Sequence, residues 1–162
     1  MAFNSYTGIY EAKLDTKCRI VIPQSFRNEL GEDFKIFLAF NRKCLYIMDN
    51  KKYNETSYKL SQLSFKRYST MSKMIHGYCF SVKPDKQGRI VLPPQLRKRI
   101  NLDVGSDVTI LGLGMYIEIW QSEKYEQAFD EITPEDIEEV ESYIDLSDRE
   151  ELVVEDHPPV LE

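Results

Sequence analysis

Two stretches of the 162-residue chain place an aspartate four residues before an arginine: Asp15-Thr16-Lys17-Cys18-Arg19 and Asp85-Lys86-Gln87-Gly88-Arg89. In a tight turn, residues four apart can face each other across the two strand ends, so one carboxylate can accept turn N–H groups and hold a guanidinium as well. One reading is structural: Asp15 and Asp85 brace the turns, and Arg19 and Arg89 pair with them and pack on the hairpins. In the other, the arginines act outward. A guanidinium neutralises phosphate and forks onto guanine O6 and N7, and a two-stranded ribbon fits the major groove of DNA. The neighbours favour the outward reading. Lys13 and Lys17 crowd Arg19, and Lys83 and Lys86 crowd Arg89, so both turns are basic tips.

Other chemistry is sparse. Gly112-Leu113-Gly114 lacks the spacing of a nucleotide loop and follows no βαβ pattern, so it reads as a hairpin turn. His76 and His157 lie far apart with no cysteine or carboxylate at ligand spacing, and no metal site is expected. Cys18, Cys44 and Cys79 have no histidine partner and are an odd, scattered set, which reads as reduced thiols that are buried or in a turn. Trp120 and the strand tyrosines read as core. Arg27, Arg97, Lys98 and Arg99 read as a solvated helix face within possible reach of phosphate. No nucleophile–base pair or carboxylate dyad appears, so neither an enzyme, a cofactor nor a small-molecule substrate is expected.

Both turns belong to a larger repeat. Residues 15–30 align with 85–100 at an offset of 70 without a gap; six of the sixteen positions are identical, and Ile22/Leu92, Phe26/Leu96 and Leu30/Ile100 stay apolar. A second match sets Cys44 to Tyr53 against Tyr116 to Tyr125. Each copy reads as strand, tight turn, strand, short helix, second hairpin, helix. Tyr10 to Leu14 alternates, and Arg19 to Ile22 is β-branched. Asp and Gly suit the turns, and Gly88 supplies φ > 0. Pro23 and Pro93 suit the first helical turn, Phe26/Leu30 and Leu96/Ile100 give those helices an apolar side, and Gly31 is a C-cap. The second hairpins run from Lys35 to Phe40 and Leu45 to Met48, and from Val108 to Leu111 and Tyr116 to Trp120. Lys51 to Met74 is expected to be helical with a Tyr68, Met71, Ile75 stripe, followed by a strand carrying Tyr78, Phe80 and Val82. Ser122 is placed as a cap before Tyr125, Ala128, Phe129 and Ile132. Thr133-Pro134-Glu135-Asp136 resembles a capping box, and Ile137, Val140 and Ile144 form a stripe able to dock. The expected fold is a β-rich α+β class: two tandem hairpin-and-helix units at 6–53 and 78–125, a helical connector at 54–77, a helical extension at 126–144 and a disordered acidic tail at 145–162.

Charge divides along the same lines. The net charge of −6 combines +8 through Trp120 with −14 from Gln121 onward. A basic body with an acidic tail fits nucleic-acid contact, or a solubilising tail on an ordinary domain. The 42% hydrophobic content suffices for a core. No apolar run is long enough to span a membrane, and Met1 to Tyr6 has neither a basic start nor an apolar segment for export. A cytoplasmic protein is expected.

Two D-x-x-x-R-[I/V]-x-x-P elements about 70 residues apart, closed by Ile117-Glu118-Ile119-Trp120, resemble the MraZ family, relatives of the AbrB/SpoVT swapped-hairpin DNA binders. The resemblance spans roughly residues 6 to 130. It implies two copies interleaved about a pseudo-two-fold axis, and a ring-shaped homo-oligomer, an octamer or dodecamer. It implies a nucleoid-associated transcriptional regulator of the division and cell-wall gene cluster, binding double-stranded DNA at direct repeats upstream of that cluster and of its own gene. It makes Arg19 and Arg89 the central DNA-contacting or hairpin-fixing residues. Lys17 matches the family's usual lysine where copy two has Gln87, so the first hairpin is favoured for base contacts. Cys18 departs from the family's turn glycine; at φ > 0 its side chain would cost about 1 kcal/mol, and a differently shaped first turn is anticipated. The alternative is an oligomeric interaction module of the same fold that has lost specific DNA binding.

Overall fold

A computed structural model of the protein describes residues 6–144, and the chain divides after Gln127 into two compact units. The expected acidic tail at 145–162 and most of the N-terminal segment read for export, residues 1–5, lie outside the described residues.

The first unit carries β1 (Tyr6–Lys13), β2 (Arg19–Val21), α1 (Gln24–Leu30), β3 (Phe34–Leu38), β4 (Leu45–Met48), α2 (Asn50–Ser61), α3 (Phe65–Ile75), β5 (Cys79–Val82), β6 (Arg89–Val91), α4 (Pro94–Arg99), β7 (Asp107–Gly114), β8 (Ile117–Gln121) and the start of α5 (Ser122–Asp130). Six strands form an antiparallel sheet in the order β1-β7-β8-β4-β3-β5, and β2 pairs with β6 in a separate ribbon. The order is a palindrome with respect to the repeat. The first strand of each copy pairs with the third strand of the other, and the two fourth strands meet in the middle. Equivalent residues face each other at both centres, Ile20 opposite Ile90 in the ribbon and Tyr46 opposite Glu118 in the sheet.

This corrects one expectation. The strands flanking each Asp–Arg turn do not form a hairpin ribbon with each other. The bonds from Asp15 N–H to the Arg19 carbonyl and from Cys18 N–H to the Asp15 carbonyl close only the turn. Beyond it, β1 joins β7 and β2 joins β6. The exchange lets Ile20, Ile22, Ile90 and Leu92 enter one shared core with Phe26, Leu30, Leu96 and Ile100 from the short helices. Alternation along β3 divides the sheet's two faces. Phe34, Ile36 and Leu38 join that core, while Phe37 turns to the opposite face with Met48, Leu60 and Ile75.

Local signals place most elements with small shifts. Pro23 and Pro93 sit at the N-cap rather than inside the first turn, with Pro94 following at the first helical position. Gly31 closes α1 at φ 85°. The expected helix from Lys51 to Met74 is two helices, because Ser64 starts a new one by accepting from Arg67 N–H. Ser122 is the first residue of α5, and its Oγ donates to Glu11 and accepts from Thr109 instead of serving as an N-cap.

Gly112 to Gly114 is not the hairpin turn; it is the end of β7. Gly112 lies opposite Gly8 of β1, and a Cβ there would meet the Thr7 nitrogen and the Tyr6 carbonyl carbon, each at 2.5 Å. Close passage of two backbones, rather than a turn, requires this glycine.

In the second unit, α6 (Pro134–Tyr143) opens on the expected capping box: Asp136 N–H donates to Thr133 Oγ1 at 3.1 Å and Thr133 N–H to Asp136 Oδ2 at 2.9 Å. The Thr133 backbone N–H, and after it the Thr133 side chain, hold the Asp136 carboxyl below its ordinary pKa. Ile137, Val140 and Ile144 are exposed. Among the described residues no helix is long and apolar enough to cross a membrane, and no group of His, Cys, Asp and Glu could hold a metal ion.

Candidate nucleic-acid interface

In the first turn, Asp15 Oδ1 accepts from the backbone N–H of Lys17 at 2.9 Å and of Arg19 at 2.8 Å, and its Oδ2 accepts from Arg19 Nε at 2.8 Å. The second turn repeats this: Asp85 Oδ1 accepts from the N–H groups of Gln87 (2.9 Å) and Arg89 (3.0 Å), and Oδ2 from Arg89 Nε (2.8 Å). Desolvation pushes the Asp15 carboxyl up, but the Arg19 N–H, the Arg19 guanidinium and the Lys17 N–H together outweigh it and leave the pKa below the ordinary value. At Asp85 the Arg89 N–H is the largest influence, and the guanidinium and the Gln87 N–H add to it, again lowering the pKa. Both carboxylates are ionised at neutral pH. Each fixes its arginine through Nε alone, and among the described residues the Nη groups of Arg19 and Arg89 have no hydrogen bond. The turn brace and the outward arginine are therefore one arrangement: the aspartate aims a guanidinium whose fork is left open.

Cys18 does not reshape its turn. It sits at φ 58° against 79° for Gly88, with the same closing hydrogen bond to the aspartate carbonyl, 2.9 Å in both copies. Its side chain packs against the main core. The glycine at position 88 has a further reason, because a Cβ there would lie 2.5 Å from Arg27 Cζ.

Arg27 is the residue that reading for a solvated helix face missed. Its Nε donates to the Ile22 carbonyl at 2.9 Å while its guanidinium lies over the turn of the other copy, and Ile22 N–H donates to the Gly88 carbonyl. Arg97 makes the equivalent bond to the Leu92 carbonyl at 3.2 Å, and Leu92 N–H reaches the Cys18 carbonyl. Each copy thereby locks the other's turn. The signal was available: Arg27 and Arg97 are one of the six identities in the repeat. Arg99 instead stacks over Tyr78, 4.9 Å from its ring centre.

The ribbon gathers what the sequence had left on two separate tips. Ile20 and Ile90 are buried beneath it, so the alternate residues lie on the other side of the ribbon: half-buried Arg19 opposite exposed Val91, and exposed Val21 opposite half-buried Arg89. Val21 and Val91 are 51% and 56% exposed. Lys17 and Lys86 are exposed in the flanking turns. Lys13, at the end of β1, lies 3.6 Å from Asp107, and both side chains are largely exposed. Lys83 is exposed just past β5. Lys13 and Lys83 thus stand where the two sheet-edge strands enter the turns, and the arginines alone share the ribbon. The remaining thiols lie elsewhere: Cys44 is buried, with Sγ 3.5 Å from Glu118 Oε2, and burial followed by the Glu118 charge pushes its pKa up, while burial also raises that of Cys79.

The chain matches the family model described as "MraZ protein, putative antitoxin-like" twice, over residues 6–73 and 76–146. It is similar to proteins named transcriptional regulator MraZ: 38% identical to that of Mycoplasma mobile (74% of this chain, 82% of the relative), 33% to that of Finegoldia magna (73% and 82%) and 31% to that of Micrococcus luteus (82% and 96%).

Proposed function

The chain belongs to the MraZ family, and on that footing we propose that it is a sequence-specific DNA-binding transcriptional regulator whose reading head is the β2–β6 ribbon. One observation carries this reading: two arginines, each held through Nε by a turn aspartate, lie on the outward side of one two-stranded ribbon. A ribbon of this width enters a major groove about 12 Å wide, where an open guanidinium fork pairs with guanine O6 and N7. Lys13, Lys17, Lys83 and Lys86 neutralise the flanking phosphates, and Asp15, Asp85 and Gly88 keep the turns in shape. Residues 6–53 and 78–125 act as one reading unit rather than two.

The target in this reading is a set of direct repeats upstream of the division and cell-wall gene cluster, including the protein's own gene. A single ribbon offers few contacts. A ring-shaped homo-oligomer, an octamer or dodecamer, supplies the rest by presenting ribbons about one DNA turn apart, roughly 34 Å. The protein acts in the cytoplasm at the nucleoid, as a binder and not an enzyme.

The test is fluorescence anisotropy of the protein against DNA from upstream of its own gene, beside a scrambled duplex, across salt. Tighter binding to the upstream DNA is expected, with log K falling by about 0.9 for each contacted phosphate per tenfold rise in salt. Arg19→Ala/Arg89→Ala should abolish the preference and leave the assembled size unchanged by light scattering. Equal binding to both duplexes, or a preference that survives the double substitution, refutes the proposal.

A further inference from the structure

The ribbon exposes two apolar side chains where a purely phosphate-binding surface needs none. Val21 and Val91 are each more than half exposed, they stand directly across from Arg89 and Arg19, and the buried Ile20–Ile90 pair holds the strands beneath them. Neither valine reaches the core, because strand alternation turns both outward. The outer face therefore carries arginine and valine in a two-by-two checker, guanidinium beside isopropyl on both strands.

We propose that Val21 and Val91 are specificity-determining residues that read the C5-methyl groups of thymines next to the guanines read by Arg19 and Arg89. The inference rests on the ribbon being the DNA-contacting face. The thymine methyl is the one apolar group that a base edge presents in the major groove, and apolar side chains pack on it there. The spacing is suitable. Residues i and i+2 of a strand lie roughly 6.6 Å apart, about two base-pair steps at 3.4 Å each, and the cross-strand neighbour is about 5 Å away. A guanine under Arg19 thus puts candidate thymines within about two base pairs, under Val21 along the strand or Val91 across it. Because the arginine–valine pairs exchange under the repeat's two-fold, Arg89 with Val91 and Val21 makes the same demand on the other side.

The chemistry can be removed from either partner. Uracil differs from thymine only by the missing methyl and keeps the same pairing edge. Anisotropy is measured for the full-length protein and for Val21→Ala/Val91→Ala, each with upstream DNA made with thymine and with uracil. The wild type should bind uracil DNA about fourfold more weakly for each valine deprived of its methyl, and roughly an order of magnitude more weakly for two. The double variant should bind thymine DNA that much more weakly and show no further weakening with uracil, and its salt slope should equal that of the wild type, since every phosphate interaction is kept. Val21→Thr/Val91→Thr, which keeps the β-branched strand shape and one methyl, should fall between. Equal binding of thymine and uracil DNA by the wild type overturns the inference and leaves the arginine ribbon standing. Full uracil sensitivity in the alanine variant also overturns it, by placing the methyl reader elsewhere. Binding that is indifferent to Arg19→Ala/Arg89→Ala overturns the ribbon reading and this inference with it.

Discussion

At position 88 two demands meet on one residue. Its φ of 79° is unfavourable for any side chain, and the Arg27 guanidinium fills the space a Cβ would take. Gly31 and Gly105 share the positive φ, at 85° and 81°, but have open space around them. Gly88→Ala should therefore cost about 2–3 kcal/mol, against about 1 kcal/mol for Gly31→Ala or Gly105→Ala, the conformational part alone. Thermal melting checks this, and the excess should shrink when Arg27→Ala empties the space; an equal cost at all three glycines would show that Arg27 yields freely. The aspartate–arginine pairing was legible from spacing, since four residues bridge a tight turn. The repeat identity with Arg97 marked Arg27 but did not give its role, because its carbonyl partner is five residues away and the turn it covers is in the other copy. At residue 18 the sequence correctly raised positive φ but misjudged its consequence: a Cβ is accommodated where the neighbouring space admits a thiol packed on the core.

Elements were easier to find than to pair. Alternation, proline and glycine placed the strands and the short helices to within about four residues, since those signals act over one or two turns of chain, but they ran α2 and α3 together as one helix. Partner choice is decided at long range. A three-residue strand such as Arg19-Ile20-Val21 matches the strand before it as well as the ribbon partner it takes, and only the shared core selects the latter. The β1–β7 pair shows how narrow that selection is. With Gly8 facing Gly112 and backbone atoms 2.5 Å from where a Cβ would stand, the two strands approach too closely for a side chain on β7 at that point. Gly112→Ala should push β1 off the sheet edge and destabilise the fold by up to about 3 kcal/mol, since backbone cannot swing aside as a side chain can. Amide exchange would read it as lost protection along β1 with β3 and β4 still protected; unchanged protection at Tyr10 and Ala12, which lie opposite Ile110 and Val108, would mean the sheet absorbs the methyl.

For the whole molecule, the duplication and the charge asymmetry were legible from composition and alignment, whereas the interleaving of the copies came only from the family resemblance, because hydrophobic pattern is identical for side-by-side and exchanged copies. The charge asymmetry carries its own prediction. Residues 128–162 hold 14 acidic side chains and one arginine, so a chain ending at Gln127 should bind random-sequence DNA several-fold more tightly at low salt, with the gain fading as salt screens it. Unchanged affinity in the same anisotropy assay would make the acidic unit electrostatically silent. The palindromic sheet has a further consequence during synthesis. Residue Tyr6 pairs with Gly114, and Arg19 with Val91. At about 5–20 residues per second, the first copy therefore leaves the ribosome several seconds before the strands it needs exist. Ile20, Phe26 and Leu30 wait without their core over that interval, and nascent chains on one message have the opportunity to trade copies. What keeps the correct match ahead is the tether: the α2–α3 pair joins the two copies and holds the late strands at a local concentration that a neighbouring chain must exceed.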